Sequence, residues 1–87
     1  MTILKKERSE NARSYAVRVL LYNIVHLELT PGSSVSENEL SSALSLSRTP
    51  VREALIELNR IGLVEIIPQK GSYVSKIDYD IVEESRF

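Results

Sequence analysis

The stretch Ser47–Leu55 reads SRTPVREAL. Val51, Ala54, Leu55, Leu58 and Ile61 form the apolar stripe of a helix whose inward face is buried. Pro50 suits the first turn, where a missing N–H costs no hydrogen bond, so the helix is expected to begin at Ser47 or Thr49. Gly62 follows the last apolar residue and suits the left-handed position that closes a helix. Arg48, Thr49 and Arg52 fall off the stripe, at the exposed entrance. That placement needs a reason. The helix macrodipole puts partial positive charge at this end, and arginines add to it. A polyanionic partner at the same helix end offsets the cost.

Upstream, Ser36-Glu37-Asn38-Glu39 fits a capping box, with serine at the cap and glutamate three residues on. Leu40, Ala43 and Leu44 give a short apolar face, and Ser45-Leu46 is left as a tight turn into the next helix. Further back, Ala12, Ala16, Leu20, Ile24 and Leu27 recur at helical spacing, widened by Val17 and Leu21. This first helix is expected over about residues 7–27. Thr30-Pro31-Gly32 stops it, because proline disfavours helix in the residue before it. Ser34-Val35 can form a very short extended segment.

Downstream, Leu63–Ile67 and Ser72–Ser75 are β-rich runs around Pro68-Gln69-Lys70-Gly71, which reads as strand, turn, strand. The fold class is therefore mainly α with a small β-hairpin: a winged helix-turn-helix of three helices plus a two-stranded wing, over residues 7–76. Residues 77–87 are polar and acidic, with Ile77, Ile81 and Val82 at roughly helical spacing. They read as a linker and the start of another helix.

Composition narrows the function classes. The chain has 87 residues, 43% of them hydrophobic and 26% charged, which describes one small globular domain. No cysteine is present, so there is no disulfide framework or thiolate metal site. One histidine, His26, offers little for a metal site or for acid–base chemistry; it lies near the end of the first helix, where it can meet the last carbonyls. No Gly-rich phosphate loop or paired-carboxylate cleft is evident, so no catalytic residue and no cofactor are expected. No apolar run reaches the length of a membrane span, and the start MTILKKERSE lacks the apolar core of a secretory signal. A cytoplasmic protein is expected. Net charge is −1, yet residues 1–30 and 47–76 each carry +2, residues 31–46 carry −2 and residues 77–87 carry −3. The bulk charge hides a mildly basic middle.

A helix-turn-helix aims the start of its second helix at base edges in the major groove of DNA. Arg48 and Arg52, four apart, then point toward one groove. Arginine is the commonest reader of guanine, bidentate to O6 and N7. Thr49 can offer a hydroxyl to phosphate or a methyl to thymine, and Ser47 with the first backbone N–H groups suits a phosphate. The turn Gln69-Lys70-Gly71 adds a polar tip for a backbone or minor-groove contact. Blander readings stand beside each. Arg48, Arg52, Lys70 and Gln69 can be solvated surface groups, and Arg52 can pair on the helix surface. Asn38 can simply support the capping turn. Glu53 reads as a first-turn carboxylate favoured by the dipole. Tyr73 suits stacking or strand packing, and Tyr15 and Tyr22 suit a core or an interface.

SRTPVREAL, followed by GLVEIIP and GSYV and preceded by LTPGSSVSENEL, resembles the N-terminal domain of the GntR family of bacterial transcription regulators over roughly Tyr15 to Ser75. SVSE and RTPVREAL look like its FadR-type branch. The resemblance implies a winged helix-turn-helix that binds double-stranded DNA bearing a short inverted repeat, as a homodimer. It also implies a C-terminal helical domain, absent from this chain, that binds a small-molecule effector. Carried over by position, the DNA-contacting residues are Asn38, Ser47, Arg48, Thr49 and Arg52, with Gln69, Lys70 and Gly71 on the wing. The chain departs from the family pattern at three places. Ser45 stands at the usual turn glycine, where a left-handed backbone costs on the order of 1 kcal/mol. Leu27 stands where the first helix usually meets a glycine. Asn38 stands where arginine is frequent, and a shorter amide reaches phosphate less easily or reads adenine. A winged helix used only for protein–protein contact is the alternative function, and the two-arginine entrance speaks against it.

Overall fold

The computed structural model describes residues 1–76; the expected linker at 77–87 lies outside them. Three helices and three short strands follow in the order α1 (Ala12–Val25), β1 (Ser34–Val35), α2 (Glu37–Leu44), α3 (Arg48–Arg60), β2 (Val64–Ile67) and β3 (Gly71–Val74). The winged helix-turn-helix read from the sequence is the fold, with one addition. Ser34-Val35 pairs with β3, so the wing belongs to a three-stranded antiparallel sheet of order β1-β3-β2. Val64 faces Val74 and Ile67 faces Gly71 across the hairpin, while Ser34 faces Tyr73 on the other edge.

Local signals set the helix ends. Ser36 Oγ accepts from Glu39 N at 3.3 Å, the serine half of the capping box. After α2, Ser45 takes φ 57° and ψ 43°. Leu46 N then donates to Ser41 O at 3.0 Å, and Ser45 N to Ser42 O at 3.4 Å, the paired bonds of a Schellman closure. The same closure ends α3 around Gly62, at φ 88°, with Leu63 N on Leu58 O at 2.9 Å. Leu27 also lies left-handed at φ 58°. Two family-glycine positions thus hold their backbone without glycine.

Helix α1 is shorter than its apolar pattern. It starts at Ala12 because Asn11 caps it, the side chain accepting from Ser14 N at 2.7 Å. Its buried face also sits to one side of the expected stripe. Tyr15, Val19 and Asn23 are buried beside Ala16, Leu20 and Ile24, whereas Leu21 and Leu27 are exposed. The reason is residues 1–10, which fold back along α1 and cover that side. Thr2 N donates to Asn23 Oδ1 at 2.6 Å, and Asn23 Nδ2 donates to Thr2 O at 2.8 Å and Val19 O at 2.7 Å. A fully buried amide is thereby satisfied, which is the condition for keeping it in a core. Tyr15 OH donates to Leu4 O at 2.5 Å, and Arg18 donates to Lys5 O and to the Glu10 carboxylate.

The core gathers Leu20, Val19, Val51, Leu55, Leu58, Val64 and Val74, each nearly inaccessible to solvent. It locks α3 against α1 and the sheet. Besides Leu21 and Leu27, two more residues expected inside are outside: Ala43 is exposed, and Ile61 follows α3 with half its surface open. The helix ends at Arg60, before its periodicity can turn Ile61 inward. Glu53 is another correction. Helix α3 begins at Arg48, so Glu53 lies in the second turn, and the first turn holds no carboxylate.

Candidate nucleic-acid interface

Ser47 is the N-cap of α3, yet its side chain makes no capping hydrogen bond. Pro50 has no N–H, and a helix start leaves its first donors without intrahelical partners. The Arg48 and Thr49 N–H groups are therefore open to an outside anion. Arg48, Thr49 and Arg52 are all exposed along this entrance. The tight turn at Ser45 brings the start of α2 beside it. Arg48 Nη1 donates to Asn38 Oδ1 at 3.4 Å. Arg52 donates through Nε and Nη2 to the two Glu37 carboxylate oxygens, each at 3.2 Å. The Glu37 hydrogen bond raises the Arg52 pKa above the ordinary guanidinium value, as a carboxylate partner does for a cation.

The wing tip completes the surface. Lys70 N donates to Ile67 O at 3.0 Å to close the turn, and Tyr73 OH donates to Lys70 O at 3.2 Å. Gln69 and Gly71 lie at positive φ, 67° and 119°. A Cβ added to Gly71 would meet open space, so its role is conformation and outside approach rather than internal packing. Asn38, Arg48, Lys70 and Gly71 line one open notch of about 490 Å³ between α2, α3 and the wing, together with Ser34, Glu37, Ser72 and Tyr73. Ser47, Thr49, Arg52 and Gln69 are not among its walls. Arg52 pairs across the turn to α2 rather than along its own helix. Tyr73 is half-buried and acts as a brace for the tip.

Sequence reasoning gave Glu37 only a helix-start role and missed its grip on Arg52. The partners are 15 residues apart, and nothing in their spacing marks them. His26 behaves as expected at a helix end: Nδ1 lies 2.8 Å from Tyr22 O, and its ring stacks on Tyr22. Among the described residues, no three His, Asp or Glu side chains gather closely enough to hold a metal ion, and no helix is long and apolar enough to cross a membrane.

Comparison with known proteins bears on the fold and the family. The chain is 47% identical over 70 residues to the HTH-type transcriptional repressor RspR of Escherichia coli K12, covering 80% of this chain and 31% of that protein. A regulator of the GntR family from Pseudomonas syringae pv. tomato superposes with a TM-score of 0.72 at 28% identity, over 85% of this chain and 31% of that one. The AraR DNA-binding domain, solved with operator ORX1, gives a TM-score of 0.72 at 20% identity, over 86% of this chain and 96% of that one; the likeness is one of fold. The chain spans about a third of the length of the curated relatives it matches. The family described as bacterial regulatory proteins, gntR family, matches residues 14–74. The chain belongs to that family, and the three helices and wing described above are its winged helix-turn-helix domain.

Proposed function

We propose that this chain is the sequence-specific DNA-binding module of a bacterial transcription regulator that reads a short inverted repeat as a homodimer. The observation that carries the reading is the convergence of Asn38, Arg48, Lys70 and Gly71 on one notch, with the open N–H groups of α3 beside it. Three separate elements, α2, α3 and the wing, present donors and cations to one side. In this reading α3 enters the major groove, where Arg48 and Arg52 read guanine and Thr49 meets a thymine methyl or a phosphate. Ser47 and the first-turn N–H groups hold a phosphate. Asn38 reads a base edge or a phosphate beside Arg48. Gln69, Lys70 and Gly71 follow the adjacent backbone or minor groove.

On RTPVREAL and SVSE we further assign the whole protein to the FadR-type branch as a proposal, with a helical effector domain and a small metabolite as its ligand. Two half-sites bound together raise the effective concentration of each module, so an isolated module binds weakly.

The test is selection of duplexes from a random library with the full-length protein and its Arg48→Ala variant. An inverted repeat with a guanine in each half-site, lost in Arg48→Ala, is expected. Arg48→Ala and Arg52→Ala each weaken binding to that duplex by ~1–3 kcal/mol. Absence of any enriched sequence would overturn the reading in favour of protein–protein contact.

A further inference from the structure

We propose that Glu37 is a specificity-determining positioning residue, which holds the Arg52 guanidinium in a base-reading pose and keeps it off the DNA backbone. The inference rests on the DNA-binding reading above. Glu37 accepts from Arg52 Nε and Nη2 at 3.2 Å each. A guanidinium carries five N–H donors in a rigid planar fork. The Glu37 grip uses the side edge, one donor from Nε and one from Nη2. The Nη1–Nη2 end stays free, and that end is a two-donor fork suited to guanine O6 and N7. Arg52 remains more exposed than Glu37, 59% against 32% of the side chain, so the guanidinium stays accessible beside its partner.

The charge matters as much as the pose. Non-specific DNA affinity grows with each phosphate a cation neutralises. Arg52 with Glu37 forms a neutral pair, so it adds little to that sequence-blind attraction. Arg48 is different, because its neighbour Asn38 is an uncharged amide that leaves its full charge in place. The two arginines four residues apart are therefore not equivalent. Arg48 attracts and reads, whereas Arg52 chiefly reads. Glu37 sits at the first position of α2, where a carboxylate suits the dipole, but the cap bond belongs to Ser36 and Glu39. Its replacement leaves that cap intact.

The experiment compares the wild-type protein with Glu37→Gln, Glu37→Ala and Arg52→Ala, after melting curves confirm folding. The probes are a random-sequence duplex and the duplex enriched by the wild type, each titrated across salt concentrations. Glu37→Gln and Glu37→Ala are expected to bind the random duplex about three- to tenfold more tightly near 0.1 M salt, with a salt slope steeper by about one. Both lose discrimination at the base pair that Arg52→Ala also ceases to read. Removing Glu37 in the Arg52→Ala background leaves discrimination at that pair unchanged. A parallel fall in affinity for both duplexes overturns the proposal, because a merely structural role does that. Unchanged discrimination in Glu37→Ala overturns it as well. If the wild type itself prefers no sequence, the DNA-binding reading fails, a result distinct from either.

Discussion

Ser45→Gly should stabilise the domain, and the size of the gain follows from the turn between α2 and α3. Ser45 holds φ 57° and ψ 43°, in the region where a Cβ crowds the following carbonyl at a cost of about 1–2 kcal/mol. Glycine removes that cost. It also loosens the unfolded chain, which returns about 0.4–1 kcal/mol. Ser45 is exposed, so no packing is lost, and both closing hydrogen bonds are made by backbone groups that glycine keeps. The net expectation is about 0.5–1 kcal/mol of added stability. For a domain of this size that raises Tm by roughly 2–8 °C. Thermal unfolding followed by circular dichroism at 222 nm reads the shift directly. An unchanged or lowered Tm would mean that the strain is absent or that the serine contributes more than its backbone, and the reasoning would be refuted. The same substitution at Leu27, also left-handed and largely exposed, serves as an independent repeat at the end of α1.

Three further outcomes are expected. Lys70→Ala should weaken DNA binding almost evenly across sequences and reduce the salt slope by about one, as a phosphate contact does; titration of two unrelated duplexes at several salt concentrations checks this. Leu58→Ala, at a position with no exposed surface between α3 and its neighbours, should cost about 2–5 kcal/mol, measured by urea unfolding. The Arg18 guanidinium and the Glu7 N–H bonded to Glu10 hold its carboxyl at about 2, below the ordinary 4.5. A depressed carboxylate stabilises the fold fully above its unfolded value and loses that contribution as pH falls through the folded one. The fold-back of residues 1–10 should therefore loosen between about pH 4.5 and 2, seen as lower amide protection at Thr2 and Glu7 relative to the unfolded chain at the same pH, and Glu10→Gln should abolish that pH dependence.

Much of this architecture was legible because its signals are local. Ser36 at a cap, Pro50 in a first turn and Gly62 after a last turn each act within a few residues, and α2, α3 and the wing fall where they point. Three features were not local. The Thr2–Asn23 pairing spans 21 residues, and Asn23 on an apolar face looks in sequence like an ordinary break in a stripe. Glu37 meets Arg52 only after a left-handed serine folds α2 back on α3. Val35 reads as an extended residue, but its partner Ser72 on β3 lies far along the chain. The same limit applies to the candidate interface: the sequence marked Arg48, Arg52 and Asn38, while the contacts of Glu37 and Asn38 with the arginines appear only once α2 and α3 meet.

The pairing of β1 with β3 has a mechanical meaning for the wing. Gly32 N donates to Val74 O and Val74 N donates to Ser33 O, both at 2.8 Å, so the hairpin is stitched at its root to the segment that leads into the Ser36 cap. A hinge there would have to break those bonds and pull on the start of α2. The hairpin is in effect a short cantilever, clamped at Val74 and free only toward Pro68-Gln69-Lys70. In the proposed DNA-bound arrangement, exchanging those three tip residues retunes the wing's reach and leaves the helix pair unchanged.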